Sequence, residues 1–250
     1  RQLCIATRVC ICVLSLAVAV AEETCSKDQE AVQHEAVTID QFTKQAAPFS
    51  SLAGRYQFMD LLRNLTNPNK DDIALDVACG SGLVSFAFAP YVKHLHGIDL
   101  TPEMIRQAQA AQKQNGIDNI EWSVGKVDKL PFPDATFSLV VTRYSFHHFP
   151  SPTAALAEMV RVCRTGGRIL VADVSLPRDK AAAYDRMERL RDPSHVRALV
   201  EDELVGLLEA AGLEVTGRAS YRVDMDAEAL LDASSPPSPR RRRARPRLVR

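Results

Sequence analysis

The chain has 250 residues, of which 46% are hydrophobic and 25% charged. These proportions are typical of a globular protein and exclude a wholly disordered, collagen-like or multi-span membrane chain. Basic and acidic residues both number 31, but residues 234–250 contain seven arginines and no acid, so the remainder has 24 basic against 31 acidic groups. An acidic body disfavours nucleic acid as a specific partner.

Residues 1–39 are assigned to a segment outside the folded domain. Residues 9–21 form an apolar run that follows Arg1 and Arg8 and ends in small residues before Glu22, as in a secretory signal peptide. The run is shorter than the about 20 apolar residues of a spanning helix, so no transmembrane span is expected. We expect a cytoplasmic protein, or a secreted or organellar one if this segment is a targeting signal.

Residues 40–233 alternate short β-rich runs with helical periodicity, which predicts one α/β domain with a doubly wound, mostly parallel sheet. The predicted elements in chain order are helix 58–67, strand 73–78, a helix from 83, strand 94–99, helix 101–115, strands 120–124 and 137–142, a helix from 151 to the glycines at 166 and 167, strand 168–173, and helices 180–191 and 201–211. Residues 213–223 could supply one more strand or a bent pair. Residues 234–250, rich in Pro, Ser and Arg, are predicted to be disordered.

Several local signals support these boundaries. Phe58, Leu61, Leu62 and Leu65 share one helix face and are expected to be buried. Thr101 and Ser151 each precede a proline, so each is expected to cap a helix with its hydroxyl. The six cysteines do not have the spacing of a zinc site, and no metal is expected.

A glycine turn follows the first strand, in the run from Asp76 to Gly82 (DVACGSG). Glycines there allow the backbone to approach a ligand closely, next to the N-terminus of the following helix. Asp99 ends the second strand 19 residues after Gly80, close to the spacing of about 20 residues at which a Rossmann-type acid binds ribose hydroxyls. The turn therefore predicts a ligand that contains ribose.

Two cofactor classes fit this turn. Gly80, Gly82 and Ser85 approximate the dinucleotide motif G-x-G-x-x-[GA], which leaves an NAD-dependent dehydrogenase as an alternative. A carboxylate at Asp76 would repel a pyrophosphate but attract a positive amino or sulfonium group. Asp76 thus favours an adenosyl ligand without phosphate.

At these residues the sequence resembles the class I S-adenosylmethionine-dependent methyltransferases, in the type 11 group related to the ubiquinone and menaquinone C-methyltransferases. DVACGSG matches the family motif [DE]-x-G-x-G-x-G with Ala78 in place of the first glycine, and GIDLTPEMI is similar to the motif of the second strand. FTKQAAPF (42–49), LPFPDATFSLVV (130–141) and MVRVCRTGGRILVAD (159–173) also look like family segments. The resemblance covers residues 41–223.

The resemblance implies methyl transfer from S-adenosylmethionine to a small-molecule acceptor, with Asp99 holding the ribose and Leu100 and Met104 near the adenine. The expected cofactor-binding set is Asp76, Ala78, Cys79, Gly80, Gly82, Asp99, Leu100, Met104, Val127, Asp128 and Thr142. A His pair after the fourth strand, His147 and His148, is the candidate catalytic group, because a histidine there could orient a substrate or accept its proton.

The chain departs from the family pattern in three respects, one of which is that Thr165 stands where proline is usual. Lys126 stands where the family usually has an acid near the adenine amino group, and lysine cannot accept that hydrogen bond. The arginine-rich tail begins where the family continues toward a final antiparallel strand, so the fold could lack that strand. A protein that binds S-adenosylmethionine but has impaired turnover is therefore a further alternative.

Overall fold

The computed structural model describes residues 29–46 and 58–221. The chain divides into a unit of residues 1–37 and a unit of residues 38–250, which contains the sheet. Within the described ranges, the helices are α1 (29–46), α2 (Met59–Thr66), α3 (Leu83–Phe88), α4 (Pro102–Asn115), α5 (Pro152–Val162), α6 (Arg178–Arg191) and α7 (Glu201–Ala210). The strands are β1 (Ile73–Val77), β2 (His94–Asp99), β3 (Ile120–Val124), β4 (Phe137–Arg143) and β5 (Cys163–Ala172). Short 3₁₀ helices cover Ala89–Tyr91 and Phe146–His148.

The five strands form one parallel sheet in the order β3-β2-β1-β4-β5. The central strands β1 and β4 are buried along almost their whole length, because helices cover both faces of a parallel sheet of this kind. The predicted doubly wound α/β fold is confirmed.

Alternate residues of each strand point into two separate cores. Leu75 and Val77 of β1 belong to a core that includes residues of α5 and α7. Ala74 and Leu95 belong to the opposite core, which includes residues of α2 and α3. The sheet therefore lies between two apolar cores, and packing on both faces holds its strands in place.

The strand order reverses beside β1. From β1 the chain moves outward to β2 and β3, and it then returns to place β4 on the other side of β1. In open α/β sheets, ligands bind outside the carboxyl ends of the strands at such a switch point. The turn after β1 and the residues after β4 lie at this point.

Some predicted boundaries are wrong. The helix α5 ends at Val162 rather than near Gly166, and β5 begins at Cys163, with a register irregularity between the pairs Phe137–Cys163 and Leu139–Arg168. Gly166 has a φ of +73°, so a left-handed residue interrupts the extended backbone in the first half of β5. Residues 213–221 form no strand.

Two side-chain expectations also fail. Leu65 is 40% exposed, whereas Met59, Leu62 and Thr66 are the buried residues of α2. The Thr101 hydroxyl makes no cap hydrogen bond, while Ser151 does accept one from the Ala154 N–H.

No helix in the described ranges is long and apolar enough to cross a membrane. The signal-like run and the arginine-rich tail lie outside the described residues.

Candidate cofactor-binding site

The turn after β1 uses backbone conformations that favour glycine. Gly80 has a φ of +54° and Gly82 a φ of +88°, and Ala78 also adopts a left-handed φ of +56°. A Cβ on Gly82 would lie 2.6 Å from an atom of the Trp122 indole, whereas a Cβ on Gly80 would meet no atom within 4 Å. Packing therefore requires glycine at 82, while Gly80 borders open space that a ligand can enter.

Asp99, at the end of β2, is bonded to the glycine turn. Its Oδ2 accepts a hydrogen bond from the Gly80 N–H at 2.8 Å, and its Oδ1 accepts one from the Thr101 N–H at 2.8 Å. Burial raises the pKa of this carboxyl group above its usual value, although both backbone bonds act in the opposite direction. Each carboxylate oxygen has a second lone pair for a ligand hydroxyl.

Asp76 is the most deeply buried acid of the turn, with 1% of its surface exposed. Burial raises its pKa from 3.8 to about 7, despite a hydrogen bond of 2.6 Å from the Ser85 hydroxyl to Oδ2. At neutral pH the side chain is thus divided between its neutral and charged forms. A positively charged ligand group would stabilise the charged form.

The raised pKa of Asp76 predicts a pH-dependent cost to stability. A carboxyl group whose pKa is about 7 in the folded protein and 3.8 when unfolded binds more protons in the folded state, so stability falls as pH rises between these values. Compared with Asp76→Asn, the wild-type protein should lose roughly 3 kcal/mol of unfolding free energy between about pH 4.5 and about pH 7.5.

Urea unfolding of both proteins at the two pH values measures this difference. The exposed carboxylate Asp118 provides a control, because Asp118→Asn should follow the wild-type pH dependence. Equal pH dependence in the wild-type protein and Asp76→Asn would contradict the raised pKa.

Thr142 and Cys79 are buried beside the turn. The Thr142 hydroxyl donates to the Val77 carbonyl at 2.7 Å and lies 2.5 Å from the Ser145 hydroxyl, so it ties β4 to the end of β1. Burial raises the pKa of the Cys79 thiol well above its usual value. A raised thiol pKa disfavours the reactive thiolate form of Cys79.

A histidine–aspartate pair follows β4. The Nδ1 of His147 lies 2.5 Å from Oδ1 of Asp173, and the His147 backbone N–H donates to Oδ2 at 3.0 Å. Burial alone would lower the pKa of His147, but the charge of Asp173 raises it above its usual value. Because Nδ1 of His147 faces Asp173, this contact fixes the orientation of the imidazole ring.

Two further histidines surround His147. The ring of His148 lies 4.2 Å from that of His147, and the ring of His195 lies 5.6 Å away. Burial, followed by the neighbouring His147, lowers the pKa of His148 to about 3, so this ring is neutral. His195 is held through Nε2 by Asp185 at 2.8 Å. The cluster is a buried polar site at the carboxyl ends of β4 and β5.

Comparison with known proteins decides the family. Residues 75–171 match a family model described as a methyltransferase domain. The chain is 35% identical to the candidate methyltransferase BH2331 from Bacillus halodurans C-125, with a TM-score of 0.60 over 62% of this chain and 68% of that one. The chain belongs to the methyltransferase family.

Two bacterial proteins extend the comparison. The sequence is 38% identical to the uncharacterized methyltransferase YcgJ of Bacillus subtilis over 49% of each protein, so the match spans about half the length of that relative. The YcgJ crystal structure superposes with a TM-score of 0.71 at 28% identity over 76% of this chain and 81% of that chain. YafE of Escherichia coli is 32% identical over 61% of this chain and 79% of its own length. Methyltransferase membership favours the adenosyl ligand over the dehydrogenase alternative.

The methyltransferase fold brings part of the predicted set together. Direct bonds connect Gly80 to Asp99, and Gly82 to Cys79 through their backbone N–H and C=O groups at 3.0 Å. Met104 is buried, with 1% of its surface exposed, whereas Leu100 is half-buried. A role for each of these residues in cofactor binding stays a prediction.

The loop after β3 contains the remaining predicted residues. Val127 is half-buried against the core that includes α5, and Lys126 and Asp128 are exposed. This loop begins at Gly125, whose N–H donates to the Asp99 carbonyl at 2.9 Å. The loop is thus anchored to the end of β2, where the resemblance expects the adenine.

The partners of the His pair are not predicted from the sequence. In the sequence, Asp173 is only the last residue of a predicted strand, and residues 176–200 show no pattern that identifies functional residues. The structure brings Asp185 and His195 from that segment to the His pair, and the Val196 N–H donates to the His147 carbonyl at 2.9 Å. One signal in the sequence could have pointed to Asp173. It is an acid at the carboxyl end of the fifth strand, and the neighbouring strand is the one that the His pair follows.

Proposed function

We propose that the protein transfers the methyl group of S-adenosylmethionine to a small-molecule acceptor. The observation that supports this most strongly is the Gly80 turn, which borders open space and is bonded to the buried Asp99 in a chain of the methyltransferase family. A side chain at Gly80 would fill the space that a cofactor needs. The residues present therefore fit an adenosyl ligand.

Individual residues would have distinct roles toward this cofactor. The Asp99 carboxylate would accept hydrogen bonds from the ribose hydroxyls with its free lone pairs. Leu100 and Val127, both half-buried, would flank the adenine, and Asp76 would favour the positively charged end of the ligand. The bound cofactor supplies a methyl group activated by its sulfonium, so the protein's task is positioning and exclusion of water.

His147 is the proposed general base, which removes a proton from the molecule that is methylated. With Nδ1 fixed by Asp173, the Nε2 atom would take the proton that an acceptor hydroxyl or amine loses when it is methylated. Asp173 would stabilise the imidazolium that forms. His148, neutral and 5.0 Å from the Phe42 ring of α1, would line the same region.

His147→Gln should lower kcat/KM for methyl transfer by about 10²- to 10⁴-fold, the range for loss of a positioned general base. S-adenosylhomocysteine affinity should stay within about twofold, because the substitution leaves the glycine turn intact. Radiolabelled methyl transfer to a panel of metabolites measures the first quantity, and isothermal titration the second.

Asp173→Asn tests the orienting role separately. Loss of the carboxylate should lower the His147 pKa, so the acidic limb of the kcat/KM profile should move to lower pH while the maximum rate falls less than in His147→Gln. Cofactor binding without any methyl transfer by the wild-type protein would instead support the alternative of a binding protein with impaired turnover.

A further inference from the structure

A cluster of two histidines and a glutamate lies on the sheet away from the cofactor turn. His94 and His96 are two residues apart on β2 and therefore project from the same face. Glu121 of β3 is paired in register with His96. One nitrogen from each ring and a carboxylate oxygen lie within 4.8 Å of one another.

The separations in this cluster are unusual for direct hydrogen bonds. Oε2 of Glu121 lies 3.8 Å from Nε2 of His94 and 3.6 Å from Nδ1 of His96. Both distances exceed the about 3.2 Å limit of an N–H···O bond, and a bridging water would hold its partners about 4.6 Å apart. A tetrahedral metal ion with bonds of about 2.0–2.1 Å holds its ligand atoms about 3.3–3.4 Å apart. The two nitrogen–oxygen distances exceed that spacing by about 0.2–0.5 Å, so a small side-chain adjustment would bring the three groups to a metal ion.

The surroundings orient His96 for coordination. Its Nε2 lies 3.1 Å from the Ser123 hydroxyl, and the ring packs edge-on against Phe132 at 4.7 Å. When the hydroxyl accepts the Nε2 proton, Nδ1 presents its lone pair toward Glu121. Metal-binding histidines commonly use their second ring nitrogen in this way, which fixes the tautomer.

We propose that His94, His96 and Glu121 bind a divalent transition-metal ion such as Zn²⁺. Two imidazoles and one carboxylate suit zinc and its first-row neighbours, and three protein ligands leave one position for water. The Glu121 side chain is 69% exposed and that of His94 35% exposed, so an ion can enter from solvent.

The position of the cluster gives the ion a structural role. His94 begins β2, and His96 lies three residues before Asp99, which ends it, so about 10 Å of strand separates the nearer histidine from the cofactor turn. β3 lies at one edge of the sheet. A bound ion would fasten this edge strand to β2 and stabilise the folded state.

A zinc titration with a residue-specific readout tests the site. The chain has six cysteines, whose thiolates can also bind zinc, so ring ¹⁵N resonances of its six histidines should be followed by NMR. One equivalent of Zn²⁺ should shift the coordinating nitrogens of His94 and His96 and leave the ring of His195 unchanged.

Glu121→Gln should weaken zinc binding at these histidines by at least about tenfold, the lower end of the loss seen when even an indirect partner is removed. Because the Glu121 side chain is 69% exposed, this substitution should not impair folding. Glu209→Gln changes an exposed carboxylate of α7 and should bind zinc like the wild-type protein. Unshifted His94 and His96 resonances, or unchanged affinity in Glu121→Gln, would overturn the proposal.

Discussion

Gly80→Val should abolish measurable cofactor binding and leave a folded domain. The position of a Cβ at residue 80 faces open space beside the Asp99 carboxylate, so a branched side chain would occupy the region that we assign to the ligand. A steric overlap worth about 3 kcal/mol lowers affinity at least about 100-fold. Isothermal titration with S-adenosylhomocysteine measures this loss, after circular dichroism has shown that the variant folds.

Gly116→Val is the matched control for this substitution. Gly116 has a φ of +63° at the end of α4, and a Cβ there also meets no atom within 4 Å. Both variants thus force a β-branched residue into a left-handed conformation, at a cost of about 1–2 kcal/mol each. Only Gly80→Val should lose affinity. A similar loss in Gly116→Val would mean that backbone strain, and not occupied ligand space, causes the effect.

The sheet could be predicted because its strands are marked by local signals. The apolar run of β1 ends at a glycine turn, and α4 lies between Pro102 and Gly116, so each boundary has a nearby chemical cause. The same kind of signal is misleading at the start of β5. Gly166 and Gly167 suggest the end of a helix, whereas the chain leaves α5 at Val162 and pairs Cys163 with Phe137. Tertiary pairing there outweighs the local glycine signal.

The glycine turn and Asp99 could be proposed from spacing alone, because they lie at the ends of adjacent strands. The environment of His147 could not, since Asp173, Asp185 and His195 reach it only through the order of β4 and β5 and the fold of residues 178–200. Sequence separation does not reveal such contacts without a known topology.

The structure also changes what an Asp99 substitution tests. Both carboxylate oxygens already accept backbone N–H groups, from Gly80 and Thr101. Asparagine at 99 would satisfy one of these donors but turn its own amide N–H toward the other. Asp99→Asn therefore disturbs the turn as well as the ligand contact. Although asparagine has nearly the same shape as aspartate, this substitution does not test the ligand contact alone.

Asp99→Ala should weaken S-adenosylhomocysteine binding by roughly 10- to 1,000-fold, because charged hydrogen bonds to ribose hydroxyls contribute about 1.5–3 kcal/mol each. The substitution also leaves the buried N–H of Thr101 without its acceptor, which lowers stability by about 1–3 kcal/mol. Asp118→Ala removes an exposed carboxylate and should change neither quantity appreciably. Titration and urea unfolding of the two variants measure both effects.

A ligand that lacks a ribose hydroxyl separates direct contact from loss of the turn. If Asp99 accepts a bond from the 2′-hydroxyl, the wild-type protein should bind 2′-deoxy-S-adenosylhomocysteine about tenfold more weakly than the parent compound. Asp99→Ala, which has already lost that contact, should discriminate between the two ligands by less than about twofold. Equal discrimination by both proteins would show that Asp99 acts only by holding the Gly80 N–H, and the ribose would then need another partner.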